Sequence, residues 1–304
     1  MSFPPISHVL FELAVYALAL GCLWHARRQG RVVVLTLLGA MVYGFLLELM
    51  GLTLKSSPKQ SYDYGRFLIE FFANTKDALP LAIVAGWGII FYATIQTTNM
   101  LGETPPWARS FINGTLALSL DFVMDPVASG PMGLKMWTWN SSTDTFWWMG
   151  VPSSNYVGWF TVLVSFSLYT LLGHRLVPPG SKGFWGDVGV MAAAIAASLL
   201  TNALALGLFV RFIWEKPAEP WLLLGLVLLG VGLFARYARR FKRGEPRDYM
   251  VLSVPVFFLL YFLIWLFLAG TYRDLPGMLV VAPLVGLASL VAYSWPYRGK
   301  PAVP

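Results

Sequence analysis

Two carboxylates stand four residues apart in the stretch "LDFVMDP", at Asp121 and Asp125. On a helix this spacing places both side chains on one face. Two neighbouring carboxyls in a site of low dielectric constant do not both ionise easily, so one is expected to keep its proton near neutral pH. The pair therefore predicts an acid and its conjugate base side by side.

The same residues also allow structural roles. Asp121 could cap a helix or pair with Arg66, and Asp125, which precedes Pro126, could simply end its helix. Glu48, in "YGFLLELMG", lies in an otherwise apolar helix and has no basic residue three or four positions away, so we expect a functional role for it. A carboxylate inside a bilayer is costly and must face a partner, water or a substrate.

Aromatic residues follow the aspartates at high density. Most of the 13 tryptophans are expected to anchor the chain at the membrane interfaces. One cluster is denser than such anchoring requires, and it consists of Trp137, Trp139, Trp147 and Trp148. For these residues, lining a site and anchoring remain equal alternatives. The same two alternatives hold for Tyr62 and Tyr64. Ring faces stabilise cations, and aromatic walls beside a proton donor therefore indicate chemistry through a carbocation.

The elements that carry these residues are predicted to be membrane helices. The 304 residues are 57% hydrophobic and 12% charged, and the mean hydropathy is +0.63. No run shows the alternation of a membrane barrel, so the fold class is an all-α, polytopic transmembrane bundle of about nine helices, with eight possible, in a single domain over residues 1–304. The predicted helices span residues 7–25, 31–52, 78–100, 109–127, 155–175, 187–213, 221–235, 252–270 and 275–293.

Several classes of function have no support in the sequence. Cys22 is the one cysteine, and the three histidines lack the spacing of a zinc site, so we predict neither a disulfide framework nor a metal. Walker, GxGxxG, GxSxG and CxxC motifs are absent, and no cofactor is expected. Lysine and arginine lie in short loops such as "ARYARRFKRGEPR", where they set topology and do not indicate nucleic acid. Their distribution favours an external N-terminus and a cytoplasmic C-terminus.

Nine crossings would bring the polar residues to one end of the bundle. That end would hold Glu12, Glu48, Asp77, Asp121, Asp125 and Asn155. The loops 53–76 and 128–154, rich in Tyr, Trp, Gly and Pro, open on the same side. We therefore expect the loops to form a lid over a common pocket, with Pro152 turning the chain back toward Asn155. For Glu12, nearer the interface, a structural role is the prediction.

Three blocks carry a resemblance to a known family. The stretches "ELMGLTLKSSPKQSYDYG" (48–65), "ALPLAIVAGWGIIFY" (78–92) and "DFVMDPVASGPMGLKMWTW…GVPSSNYVGW" (121–159) resemble, in order, the hallmark blocks of carotenoid biosynthesis integral membrane proteins of the CruF type. The similarity covers about residues 40–160. This sequence departs from the family pattern in two places. The loop that starts at Thr53 is longer and contains lysine, and "LP" replaces "VP" at Leu79 and Pro80. Beyond about residue 180 the likeness is one of hydropathy alone.

The resemblance implies a carotenoid hydratase, which adds water to the terminal double bond of an acyclic end group. In this reading Asp121 or Asp125 donates the proton and the other orients water, with Glu48 in their network. Asn155 and Tyr64 would bind the water, and Trp137 and Trp139 would line the cationic end. Tyr62 and Trp159 complete the expected substrate site.

The resemblance also implies a setting and partners. The protein would lie in a bacterial inner membrane, take its carotenoid laterally from the surrounding lipids, and meet other enzymes of the pathway. Three alternatives stay open: a carotenoid cyclase or isomerase, a non-enzymatic carotenoid or lipid carrier, and a magnesium-dependent prenyltransferase. The last would need a second aspartate-rich motif, and nothing comparable surrounds Asp187.

Overall fold

The structure, a computed structural model, describes residues 3–54, 61–73, 75, 78–130, 133–141, 144–242 and 248–297. This part of the chain is 76% helical. Its ten α-helices are α1 (Ile6–Gln29), α2 (Arg31–Leu54), α3 (Leu81–Asn99), α4 (Pro106–Ser129), α5 (Ser153–Leu176), α6 (Gly183–Phe212), α7 (Glu219–Tyr237), α8 (Tyr249–Leu268), α9 (Thr271–Asp274) and α10 (Met278–Ser294).

The helical bundle predicted from the sequence is confirmed. Eight helices are long and apolar enough to cross a membrane, namely α1, α2, α3, α5, α6, α7, α8 and α10. Each predicted segment matches one of the nine long helices, with ends that differ by a few residues. The expected start of α3 was wrong by three residues, because Leu79 and Pro80 are extended and pair with another strand.

Helix α4 is the polar exception among the long helices. It carries Asn113, Asp121 and Asp125, all buried, and it packs against α3, α5, α7, α8 and α10. Surrounding protein therefore covers its polar groups, which meets the requirement that such groups in a membrane face the interior of the bundle. The position of α4 at the centre explains why a segment too polar for a lipid-facing helix is nevertheless long and helical.

Local sequence sets the helix boundaries. Gly30 separates α1 from α2 with a φ of 123°, a value that few other residues adopt. Pro106 opens α4, where its missing N–H costs nothing. Asp248 caps α8 by accepting a hydrogen bond of 3.0 Å from the backbone N–H of Val251.

Short strands in the loops form three two-stranded sheets. Strand β1 (Tyr62–Tyr64) pairs antiparallel with β4 (Trp137–Trp139), β2 (Glu70–Phe71) with β3 (Leu79–Pro80), and β5 (Trp147–Trp148) with β6 (Val151–Pro152). The β1–β4 pair joins the two long loops to each other, as the expected lid requires.

The sequence suggested that the chain turns at Pro152 before α5, and this prediction is wrong. The chain reverses at Met149 and Gly150, which have φ values of 51° and 76°. Two successive residues with positive φ give the tight hairpin turn that matches strand twist. Pro152 instead ends β6 and directly precedes the first residue of α5.

Candidate active site

The two aspartates of α4 are held together by a side chain of α5. Asn155 Nδ2 lies 2.5 Å from Oδ2 of Asp125 and 3.1 Å from Oδ2 of Asp121. Both aspartates are at most 1% exposed, and they lie four residues apart on α4, where such spacing places side chains on one face. A carboxyl pair this close, away from water, is arranged to share a proton.

The structure contradicts all three structural alternatives for the aspartates. Asp121 lies inside α4 and caps no helix. Arg66 is exposed, and the described donor to Asp121 is Asn155. Asp125 does not end its helix, because α4 continues through Pro126 to Ser129. A proline inside a helix removes one backbone hydrogen bond, and here that break lies directly beside the carboxyl pair.

Glu48 forms a separate hydrogen-bonded centre. Its Oε2 accepts hydrogen bonds from the hydroxyls of Tyr62 at 2.5 Å and Tyr64 at 2.7 Å, and its Oε1 accepts one of 2.7 Å from Trp87 Nε1. Because all three partners donate, Glu48 acts here as an acceptor. It ties α2 to α3 and to strand β1 of the lid.

The glycine of the "ELMG" motif makes this centre possible. A Cβ atom on Gly51 would lie 2.6 Å from the hydroxyl oxygen of Tyr62. Such a contact would force the tyrosine away from Glu48. The spacing of Glu48 and Gly51, one turn apart on α2, therefore has a steric reason.

A cavity of about 250 Å³ lies between the two carboxylate centres. Its wall is mainly aromatic and aliphatic, and it includes Glu48 and Asp125 but not Asp121. The remaining lining residues are Phe11, Leu47, Gly51, Tyr62, Tyr64, Ala82, Ile83, Gly86, Trp87, Ile90, Met124, Trp137, Trp139, Ser154, Asn155, Gly158, Trp159, Val162, Leu206 and Phe258. No lysine, arginine or histidine is among these described residues.

Aromatic rings from the lid and the bundle line this cavity. In the β1–β4 sheet, Tyr62 is opposite Trp139 and Tyr64 is opposite Trp137. Trp139 is also fixed to α4 through a hydrogen bond of 3.1 Å from its Nε1 to Ser129 Oγ. Below the lid, the rings of Trp87 and Trp159 have centroids 4.2 Å apart.

The structure brings together every residue that the sequence assigned to the site. Eight of the nine line the cavity, and Asp121 lies behind Asp125. Trp147 and Trp148, members of the dense tryptophan cluster, belong to the β5–β6 hairpin and do not line it. Asp77, expected at the same end of the bundle, lies outside the described residues.

Two other carboxylates near the lid have structural partners. Glu12 accepts hydrogen bonds from the backbone N–H groups of Leu68 and Ile69 and from the hydroxyl of Tyr16, which confirms its structural role. Glu219, overlooked in the sequence, accepts from Phe146 N and from Ser153 Oγ, each at 2.7 Å. It anchors the β5–β6 hairpin to the start of α7.

Sequence reasoning also missed cavity residues from other helices. Trp87 lies within a block that resembles the family, so its position there was a usable signal. Phe258, on α8, and Leu206, on α6, sit in uniformly apolar stretches with no distinguishing pattern. Ser154 stands at the start of a helix, where serine is common, and so carries no distinguishing signal.

Together the helices and the site define a helical membrane protein with a buried carboxyl pair on the wall of an aromatic cavity. The family model described as carotenoid biosynthesis protein matches residues 6–213. The chain therefore belongs to this family, which confirms the resemblance seen in the three blocks. The matched residues include the whole cavity wall except Phe258. No curated protein and no solved structure matches the chain.

Proposed function

We propose that the protein is a carotenoid hydratase, which adds water to the terminal isoprenoid double bond of an acyclic end group and forms a tertiary alcohol. One observation carries the proposal. Asp125 presents a buried carboxyl, paired with Asp121, to a cavity whose wall is otherwise mostly aromatic and aliphatic. Membership in the carotenoid biosynthesis family supports the class of substrate.

Protonation of the alkene by a strong acid is the first step of the reaction, and attack by water is the second. A trisubstituted alkene has no carbonyl to activate, so hydration begins when the π electrons take a proton at the less substituted carbon. The product of that step is a tertiary cation. A water oxygen then forms the C–O bond, and its surplus proton returns to the carboxylate. Oxidation state does not change over the cycle.

The positions of the carboxylates support separate roles. Asp125 lines the cavity and is the proposed proton donor. Asp121 does not line the cavity, and its proposed role is to share the proton of Asp125. Asn155 orients both carboxyls. Glu48, already bonded to Tyr62, Tyr64 and Trp87, is a positioning residue that holds the lid. This assignment moves Tyr64 and Asn155 away from the water-binding roles that the sequence suggested.

The aromatic wall is suited to the cation. Ring faces carry negative potential, and they stabilise a positive charge without competing for it as a nucleophile would. Trp137 and Trp139 lie beside Tyr64 and Tyr62, and the ring of Trp159 contacts that of Trp87 at a tilt of 30°. In the proposed complex these rings surround the carbon atom that becomes the tertiary cation.

The reaction concerns only the end of a long polyene. We propose that the cavity, of about 250 Å³, receives that end group. The rest of the chain would lie among lipids, which fits lateral access from the membrane. We further propose that this membrane is a bacterial inner membrane and that other enzymes of the pathway are neighbours.

The test uses the purified protein in lipid vesicles with an acyclic carotene such as lycopene. A hydratase yields a product heavier by one water. A cyclase or isomerase yields a product of unchanged mass, and a carrier yields none. A requirement for magnesium and a diphosphate substrate would instead indicate prenyl transfer, although Asp187 is bound to Arg31 at 2.6 Å and is not free to form a second metal motif.

A further inference from the structure

Ser154, the second residue of α5, has a buried hydroxyl without a protein partner. The residue is 5% exposed and lines the cavity, and its Oγ makes no hydrogen bond to any described residue. Burial of an unpaired hydroxyl is unfavourable, and such a group in a native structure calls for an explanation. The neighbouring side chains do not share this feature.

The residues on either side of Ser154 have hydrogen-bond partners. Ser153 Oγ donates to Glu219 at 2.7 Å, and Asn155 Nδ2 binds the carboxyl pair. Of these three side chains, Ser154 is the one that makes no hydrogen bond to a described residue. Its place on the wall is shared with Asn155 and Gly158, which follow on the same helix.

The first turn of α5 adds donors at the same place. The helix begins without a side-chain cap, and the N–H of Ser153 is paired with Phe146 O at 2.8 Å. The next amides of a first turn have no partner within their helix. They also carry the partial positive charge of a helix N-terminus, which favours the lone pairs of an oxygen ligand.

We propose that Ser154 and the first turn of α5 form an oxygen-binding subsite, which holds the attacking water and later the hydroxyl of the product. This inference rests on the proposed hydratase function. Asp125 and Ser154 line the same cavity and are not bonded to each other. A water between two such groups would gain the two or more polar partners that a buried water requires.

The subsite acts after the proton has moved. Asp125 gives its proton to the alkene, and the oxygen held by Ser154 supplies the electron pair for the C–O bond. The surplus proton of that water passes to the carboxylate, which restores the acid. Without a held water, the cation loses a proton from an adjacent carbon and returns to an alkene.

Deuterium labelling separates these two steps. Wild-type protein, Ser154→Ala and Ser154→Thr are incubated in lipid vesicles with an acyclic carotene in deuterated buffer. Mass spectrometry measures deuterium in the recovered alkene and the yield of alcohol. Thr170→Val is the matched control, because Thr170 is another buried hydroxyl of α5 without a described partner, but it lies outside this cavity.

The inference predicts that Ser154→Ala lowers alcohol formation about tenfold, the value of one hydrogen bond, while deuterium still enters the alkene. Ser154→Thr and Thr170→Val should hydrate within about twofold of wild type. Hydration at the wild-type rate by Ser154→Ala overturns the subsite, as does an equal loss of alcohol and deuterium. If wild type gives neither alcohol nor deuterated alkene, the hydratase function itself is wrong.

Discussion

Asn155 Nδ2 lies 2.5 Å from Oδ2 of Asp125, and this contact joins helix α5 to the centre of the proposed chemistry. The same amide also reaches Asp121. One side chain from a neighbouring helix thus fixes the relative position of two carboxyls. In this account Asp125 is the acid, Asp121 shares its proton, and Glu48 holds the lid. Four predictions follow from these roles.

Asp125→Asn should nearly abolish turnover, because an amide cannot supply the proton. General acid catalysis contributes at least about 100-fold, so the rate of alcohol formation should fall by that factor or more. Carotenoid binding, followed by the absorption spectrum of the polyene, should persist. Asp63→Asn is the control, since Asp63 is an exposed lid residue that accepts from Asn140. Full activity of Asp125→Asn would contradict its role.

Asn155→Ala should lower the rate by about ten- to 100-fold and leave the protein folded. The substitution removes a donor shared by two buried carboxyls, and each lost hydrogen bond to a charged group is worth about 1.5–3 kcal/mol. The measurement is the rate of alcohol formation, with helix content by circular dichroism as the control for folding. An unchanged rate would show that the pair does not need this donor.

Glu48→Gln should weaken the lid more than it weakens the chemistry. An amide group would place N–H donors against a hydroxyl of Tyr62 or Tyr64 or against the indole N–H of Trp87. We expect the free energy of unfolding to fall by about 1–3 kcal/mol, measured by thermal unfolding in detergent. A Glu48→Gln protein of wild-type stability but no proton transfer would make Glu48 the acid instead.

The contact between the lid and Glu48 should weaken in alkaline solution. Burial raises the pKa of Tyr62 and Tyr64 well above 10, and the charge of Glu48 raises both further. A group whose pKa is raised by folding stabilises the protein fully below its unfolded pKa, and that stability declines as pH rises above about 10. The stability difference between wild type and Tyr62→Phe/Tyr64→Phe should therefore shrink above pH 10. A difference that stays constant would contradict this prediction.

Much of the site could be predicted from sequence because its residues are costly in a membrane. Asp121, Asp125 and Glu48 stand out in apolar helices, and their spacing along alternating helices indicates which end they share. The pairing of Tyr62 with Trp139 is a different case. Aromatic residues in both loops suggested a lid, but strand register depends on backbone contacts between segments distant in the chain.

Other features have no local signal. The engagement of Glu48 by three donors depends on where Trp87 and the two tyrosines fall in space, so the sequence suggested a shared acid network instead of a separate lid centre. The helix through Pro126 continues because tertiary packing around α4 overrides the local preference of a proline. Ser154 stands out only in the structure, where Ser153 and Asn155 have hydrogen-bond partners and its own hydroxyl has none among the described residues.

The most direct test of the central claim is the origin of the product oxygen. Wild-type protein in vesicles is given an acyclic carotene in water labelled with heavy oxygen, under air and without air, and the product is analysed by mass spectrometry. The account predicts a tertiary alcohol that carries the water-derived label in both atmospheres and is not formed by Asp125→Asn. A product of unchanged mass, or an oxygen taken from the air, would contradict it.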